Sequence, residues 1–402
     1  MKLLDYLNNN FGEVETQELT SHFLNVFGVD VKNESDLFLF KYNMLAAQYD
    51  KDITKQCRGA IMRYANGQWR VASMPFDKFF NVGEVYCTLT NENEFCRVTN
   101  QLCYSQKADG TCIQVWYDDD DNRWRVSTLG TITTTNVSDL PITFEQLFYS
   151  CLGVGNVGFG CRDYTYIFEL CTQENRILTK YDCNRVYLLA IRDKNNGEYV
   201  VGDEFNDAYC SLLSTGASIQ LPVKHNKVFA SHQELFDWVE AQANDVAQYG
   251  EYSEGFVAYL DNVPVAKIKN STYLKYHHVT SGDIKHSRNI VIQHFFSGEL
   301  DDTYSVLVNS LKNFADNLKI VVENSCNDVT AIAEKYFTGQ KIDTQKEYAL
   351  LVQQHVDKMF WGFFFANKQE IMSGNTKTVF LQWLKDNATK LNDYWKNKVN
   401  EK

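Results

Sequence analysis

Residues 105–117 read SQKADGTCIQVWY, with Lys107 directly before an Asp-Gly turn and a run of alternating side chains. A lysine at a strand end is ordinarily just solvated, but one held still beside a turn is a nucleophile once its surroundings lower its pKa. The turn reads as the mouth of a tight hairpin. In PVAKIKN, Lys267 and Lys269 fall on one face of a strand, Ala266 and Ile268 on the other. Two like charges on one face repel unless solvent or an anion separates them, which suits either a solvated edge strand or a polyphosphate clamp. Glu254, followed by Gly255, and Glu169, within the apolar run YIFEL, are acids in strand-like sequence, where a carboxylate needs a cationic partner or a metal. Arg58 in QCRGAIM and Lys78 in MPFDKFFNVGE are two more cations. With Asp109, this set suits attack by Lys107 on the α-phosphate of a nucleotide, the other cations neutralising the triphosphate and the carboxylates holding a divalent metal. No Gly-x-x-x-x-Gly-Lys-Ser/Thr loop occurs, so a kinase-type phosphate cradle is not the source of the chemistry.

These residues need strands to hold them. From about residue 35 to 280 the pattern is strands and tight turns: AIMRY and WRVAS flank Asn66-Gly67, TCIQVWY and RWRVST flank the acidic turn 118–122, and GFVAYL and VPVAKIK flank Asp261-Asn262. A helix is expected near 231–243, with Ser231 and Glu234 as a capping box. Mixed hairpins and helices imply an α+β domain. After about Gly282 the texture turns helical. Leu307, Leu311, Phe314 and Leu318 recur at helical spacing, Thr344 and Glu347 form another capping box, and Phe380, Trp383, Leu384, Leu391 and Trp395 continue the period. The expected organisation is a domain of antiparallel sheets with flanking helices over residues 1–284, then an all-α domain over 285–402.

Composition sets bounds. A chain of 402 residues with 44% hydrophobic and 22% charged residues reads as a folded protein of two domains. The N-terminus has no apolar signal region, and the aromatic run from Met359 to Ala366 is too short to span a bilayer, so a cytoplasmic protein without membrane contact is expected. The cysteines number eleven, with no Cys-x-x-Cys pair, and read as reduced, mostly buried thiols rather than a zinc site or a disulfide framework. A net charge of −12 argues against a general nucleic-acid coat protein but leaves room for an enzyme with a local basic groove.

KADG at 107–110 matches the Lys-x-Asp-Gly motif of covalent nucleotidyltransferases, and the ordered set is more specific. CRG, PFDKFFNVGE, KADGT, FEL…ENRI, EGFVAY and AKIKNSTYLKYHH follow one another over residues 37–280 much as in the ATP-dependent RNA ligases of the phage T4 RNA ligase 1 type, which this chain resembles. The resemblance implies a nucleotidyltransferase domain in which Lys107 forms lysyl-AMP and Asp109 and Gly110 complete the motif. It implies that Arg58, Lys78, Lys267 and Lys269 hold the triphosphate of ATP, with Phe80 and Tyr273 also at the nucleotide. Glu169, Glu254 and Asp109 would meet the sugar or a hydrated metal, magnesium or manganese, and the roles of Glu169 and Glu254 stay undivided.

By the same resemblance the substrates are RNA 5′-phosphate and 3′-hydroxyl ends, cleaved tRNA among them. The protein is expected to act as a monomer, in the host cytoplasm if viral. The helical domain would select the RNA, and its Lys377, Lys385, Lys390, Lys396 and Lys398 are either phosphate contacts or solvated faces. One position departs from the family pattern: a basic residue is expected before the Gly-Thr-Ile segment, where this chain has Leu129, and Arg125, four residues earlier and so two positions away on the same strand face, is the expected substitute. The competing readings are a DNA ligase or capping guanylyltransferase, and a catalytically silent RNA-binding protein.

Overall fold

In the computed structural model the described residues are 1–400 except 44–45, 138–139, 156–157, 243, 252, 272, 274–287, 289–290, 293, 297, 299 and 301–308. Leu307, the side chain of Lys390 and the expected junction near 284 lie outside them. The chain divides into two compact units, Met1–Tyr42 with Ala46–Thr280, and Asn43–Leu45 with Ser281–Lys402.

The first unit carries strands β1 (Val29–Glu34), β2 (Leu37–Tyr42), β3 (Arg58–Ala65), β4 (Gln68–Ser73), β5 (Phe80–Asn81), β6 (Leu102–Gln106) and β7 (Thr111–Asp118). They are followed by β8 (Arg123–Thr128), β9 (Tyr164–Cys171), β10 (Arg185–Asp193), β11 (Lys224–Asn226), β12 (Gly255–Leu260) and β13 (Val263–Lys269). Three sheets result, in the orders β1-β2-β3-β4, β10-β9-β7-β8 and β11-β6-β12-β13-β5. All the pairings are antiparallel except β13 with β5. The α+β expectation is met. Two hairpins form where their turn residues tolerate positive φ: Asn66 and Gly67 at 54° and 76° between β3 and β4, Asp261 and Asn262 at 50° and 64° between β12 and β13.

Helices Phe144–Leu152 and Gly202–Ser214 cover one face of the β10-β9-β7-β8 sheet over a core that includes Phe148, Phe159, Phe168 and Leu188. Helix His232–Gln242 covers the outer face of the five-stranded sheet over Tyr104, Phe256 and Ile268. Its cap is the expected Ser231, whose hydroxyl accepts from Glu234 N at 3.2 Å. The opposite faces of these two sheets meet through Phe76, Phe79, Ile167, Ala190 and Val257. The first sheet is tied to β7 by Arg63, whose guanidinium donates to both oxygens of Asp118 at 2.7 and 3.1 Å, with both side chains buried.

The second unit is helical throughout its described elements, as expected. The 28-residue helix Asn309–Tyr336 buries Leu311, Phe314 and Leu318, while Phe363 stacks edge-on against Phe380 at 4.8 Å. Thr344 caps its helix through Glu347 N, as its sequence implies. No described helix is long and apolar enough to cross a membrane. All eleven cysteines are unbridged, but only Cys57, Cys87, Cys171 and Cys326 are buried. The expectation of mostly buried thiols is corrected: Cys96 and Cys210 ride on the outer faces of helices, and Cys161 and Cys183 sit in turns.

Burial alone would raise the Asp118 carboxyl, but Arg63, with help from Arg125, outweighs it and holds the group at about 2, below its ordinary 3.8. A carboxylate held low stabilises the fold above its unfolded pKa, and that contribution disappears as pH falls through the folded value. Arg63→Met should therefore cost about 3–5 kcal/mol near neutral pH, because Asp118 loses its main partner. It should also flatten the loss of stability between about pH 4 and pH 2, as read by urea denaturation followed by circular dichroism.

Candidate active site

Lys107 follows the last residue of β6, and four residues later β7 begins in a different sheet. The Asp-Gly segment is therefore a crossover and not a hairpin. The reason is pairing: β6 bonds to β11 and β12, whereas β7 bonds to β8 and β9. Gly110 makes the crossover feasible, since a Cβ there would lie 2.3 Å from the Leu170 carbonyl oxygen.

The backbone amides of Lys107, Asp109 and Gly110 are pinned. Lys107 N donates to Gly255 O at 2.8 Å, Asp109 N to Tyr181 Oη at 2.9 Å and Gly110 N to Glu169 Oε1 at 3.2 Å. Asp109 is buried, and its Oδ2 accepts from Leu178 N and Thr179 N at 2.9 and 2.7 Å, while Oδ1 accepts from Tyr273 Oη at 3.0 Å. Its carboxyl is raised by burial first and then by Glu254, against the pull of those amides and of Lys107. With both oxygens bonded to the protein, Asp109 fixes the loop, and Tyr273 meets it there.

The Lys107 amine points at a buried acid. Glu254 Oε2 lies 2.6 Å from Lys107 Nζ and its Oε1 lies 3.0 Å from Lys269 Nζ. Gly255 brings that acid close to β13, with φ at 130° and no room for a Cβ, which would lie 2.2 Å from Ile268 O. Lys267 and Lys269 share a face, and Ala266 and Ile268 fill the core on the other, as the alternation requires. Glu169 on β9 faces the same group. Burial pushes its carboxyl up to about 7, with Glu254 and Asp109 adding to the rise and Lys107 and Arg58 opposing it.

Arg58 and Lys267 meet over one ring: the guanidinium carbon is 5.3 Å and the ammonium 5.4 Å from the centre of Phe79. Lys78 sits apart from them among Tyr42, Tyr49 and Phe80, at 5.0, 5.4 and 5.3 Å. Phe80 itself packs into the core on the outer face of its sheet. Successive residues of an extended segment face opposite ways, so the ring that reaches Arg58 and Lys267 is Phe79, while Phe80 meets Lys78. Arg125 does not fill the place at Leu129, because its guanidinium is held by Asp118 at 2.5 Å and also by Asp121. The cations at that turn are Lys32, donating to Gly130 O at 2.8 Å, and Lys41, whose Nζ is 3.6 Å from where a Gly130 Cβ would lie. Lys41 is the cross-strand partner of Arg58. Nothing local in the sequence marks Lys41 or Tyr181, since both arrive by long-range pairing.

Among the described residues no group of three or more His, Cys, Asp or Glu side chains has the geometry to hold a metal by itself. The arrangement still fits a cation shared with phosphate oxygens and water, which asks for only one or two carboxylates. Burial is the first cause of the raised Glu169 carboxyl, and a cation beside it would favour the ionised form.

Residues 56–278, more than half of the chain, match the model of a family described as RNA ligase. The chain belongs to the RNA ligase family. The matched span contains every candidate residue from Arg58 to Tyr273, and the DNA-ligase and capping-enzyme readings fall away. An RNA ligase of Rhodothermus phage RM378 is 26% identical over 413 residues, covering 90% of this chain and 92% of the phage protein. A putative bifunctional polynucleotide kinase/RNA ligase of Autographa californica nuclear polyhedrosis virus is 27% identical over 269 residues, 62% of this chain and 35% of that protein. A solved archaeal ATP-dependent RNA ligase aligns with 87% of this chain and 88% of its own, at 12% identity and a TM-score of 0.44, a likeness that carries no further argument.

For an RNA ligase of this construction, Gly110→Ala should be a severe change. The new methyl group has to push β9 away at Leu170, one residue from Glu169. The rate of self-adenylylation with ATP should drop about a hundredfold, as displacements of about 1 Å do at reacting centres. The circular dichroism spectrum should stay that of the folded protein.

Proposed function

We propose that this RNA ligase joins 5′-phosphate and 3′-hydroxyl RNA ends with ATP, through an adenylate carried on Lys107. The observation that carries the reading is the Lys107 amine on buried Glu254, presented by a crossover pinned to both flanking sheets. The Lys107 nitrogen attacks the α-phosphorus of ATP; a P–N bond forms, the bond to the β-phosphate bridging oxygen breaks, and pyrophosphate and a proton leave. An RNA 5′-phosphate oxygen then attacks the same phosphorus, the P–N bond breaks and Lys107 takes back a proton. The 3′-hydroxyl oxygen finally attacks the RNA 5′-phosphorus, expelling AMP and losing its proton.

Arg58, Lys267 and Lys269 meet the developing charge on the phosphates, with Lys78 and Lys41 at the flanks. Tyr273 and Tyr181 hold the crossover through Asp109. Glu169 and Glu254 are the residues that would hold a divalent metal, magnesium in the first instance with manganese as the alternative. When bound, the metal neutralises phosphate oxygens. The proposed substrates include the ends of cleaved tRNA, the chain acting as a monomer in the cytoplasm of a host cell. We assign selection of the RNA to the helical unit, on which Lys377 is exposed and Lys385, Lys396 and Lys398 are half-buried.

Lys107→Ala should abolish the protein-bound label formed from ATP carrying a radioactive α-phosphate, yet still seal RNA that already bears a 5′-adenylate. A labelled adduct persisting in that variant would remove Lys107 as the nucleophile. In the same assay Lys267→Ala should slow adduct formation about a hundredfold, as loss of one charge aimed at a transferring phosphoryl group does. Lys267 is buried on a strand paired on both sides, which already sets aside the solvated edge, so an unchanged rate would leave it a purely structural lysine.

A further inference from the structure

The turn after β5 exposes two neighbouring apolar side chains, Val85 at 84% and Tyr86 at 47%. This is not a loose tip. Glu84 N donates to Asn81 O and Cys87 N to Glu84 O, each at 3.0 Å, the Asn81 amide donates to the Glu84 carboxylate at 2.6 Å, and Cys87 and Leu89 are buried directly behind. A rigid turn thus holds a ring with nearly half of its surface in water. Tyr86 rests against Phe80 at 5.7 Å and Tyr49 at 6.0 Å, and Tyr49 against Tyr42 at 5.6 Å, so rings run in series from the surface inward. Lys78 Nζ lies within 5.0–5.4 Å of Tyr42, Tyr49 and Phe80 and supplies positive charge beneath them. The turn belongs to the site's framework: Val82 N donates to Lys267 O at 3.0 Å, and Asn81 is the register partner of Lys267.

An exposed ring backed by further rings and a nearby cation is a construction that holds single-stranded nucleic acid of any sequence, because every base has a π face and every linkage a negative charge. We propose that Tyr86, backed by Tyr49 and flanked by Val85, is a stacking platform for a base of the single-stranded RNA being joined. This rests on the ligase reading above and adds to it a place for the RNA that none of the adenylylation residues provides.

The test uses the full-length protein and a 5′-phosphorylated single-stranded RNA carrying 2-aminopurine at its 5′ end in one probe and at its 3′ end in another. Wild-type protein should quench the fluorescence of at least one probe by stacking. Tyr86→Ala should abolish that quenching and raise the KM for RNA about tenfold; Tyr86→Phe should restore both. Formation of the AMP adduct from ATP alone, a step without RNA, should keep its wild-type rate in Tyr86→Ala. Val85→Asp, at a side chain too exposed to disturb the core, should also raise the KM for RNA by repelling phosphates.

Quenching and KM unchanged in Tyr86→Ala would overturn the proposal and leave the patch to a protein partner. Slow adduct formation in that variant would overturn it as well, placing the ring in the nucleotide pocket or the fold. Failure of the wild-type protein to form any adduct would instead count against the ligase chemistry, while the quenching measurement would still decide the platform.

Discussion

A carboxylate buried between two ammonium groups governs this site. Glu254 is nearly inaccessible to water, and its two oxygens are shared between Lys107 and Lys269. Desolvating three charges costs about what their attraction returns, so the triad contributes little to stability and its value lies in specifying a geometry. It fixes the Lys107 amine against β12, and through β12 against the strand carrying Lys267. The wider balance follows: Arg58, Lys78, Lys107, Lys267 and Lys269 stand against Asp109, Glu169 and Glu254, and burial holds Glu169 partly protonated near neutral pH. Such a site has a positive surplus at rest and welcomes a polyphosphate.

Much of this arrangement was legible in the sequence where local chemistry decides the structure. Asn66-Gly67 and Asp261-Asn262 make hairpins because those residues tolerate positive φ at little cost. The alternation in PVAKIKN sorted Lys267 and Lys269 from Ala266 and Ile268 because a strand has no other way to dispose of them. Ser231 and Thr344 cap helices for the same kind of local reason.

What stayed illegible depends on which strands meet. The Asp109-Gly110 pair looks like a hairpin turn because its neighbours alternate on both sides, and only the pairing of β6 and β7 with different partners makes it a crossover. Phe79 and Phe80 are indistinguishable as letters, and the sheet decides which one meets Arg58 and Lys267. Arg125 has the charge and the strand parity to stand in at Leu129, yet Asp118, seven residues earlier, claims it. Lys41 reaches the same turn from a strand nearly ninety positions earlier in the chain.

The crossover itself has a consequence for how this chain tolerates being cut or lengthened. Four residues, Lys107 to Gly110, answer to both sheets at once, through Gly255 on one side and Leu170 and Glu169 on the other. An inserted residue there has no slack to occupy, and it would rotate every following side chain of β7 to the wrong face. Termini relocated into that segment would leave the amine answerable to one sheet only. The Asn66-Gly67 turn is the opposite case: a Cβ on Gly67 would meet nothing within 4 Å, and the turn serves a single hairpin. Rearranged versions of this ligase should be opened there, with the four-residue bridge left as it is.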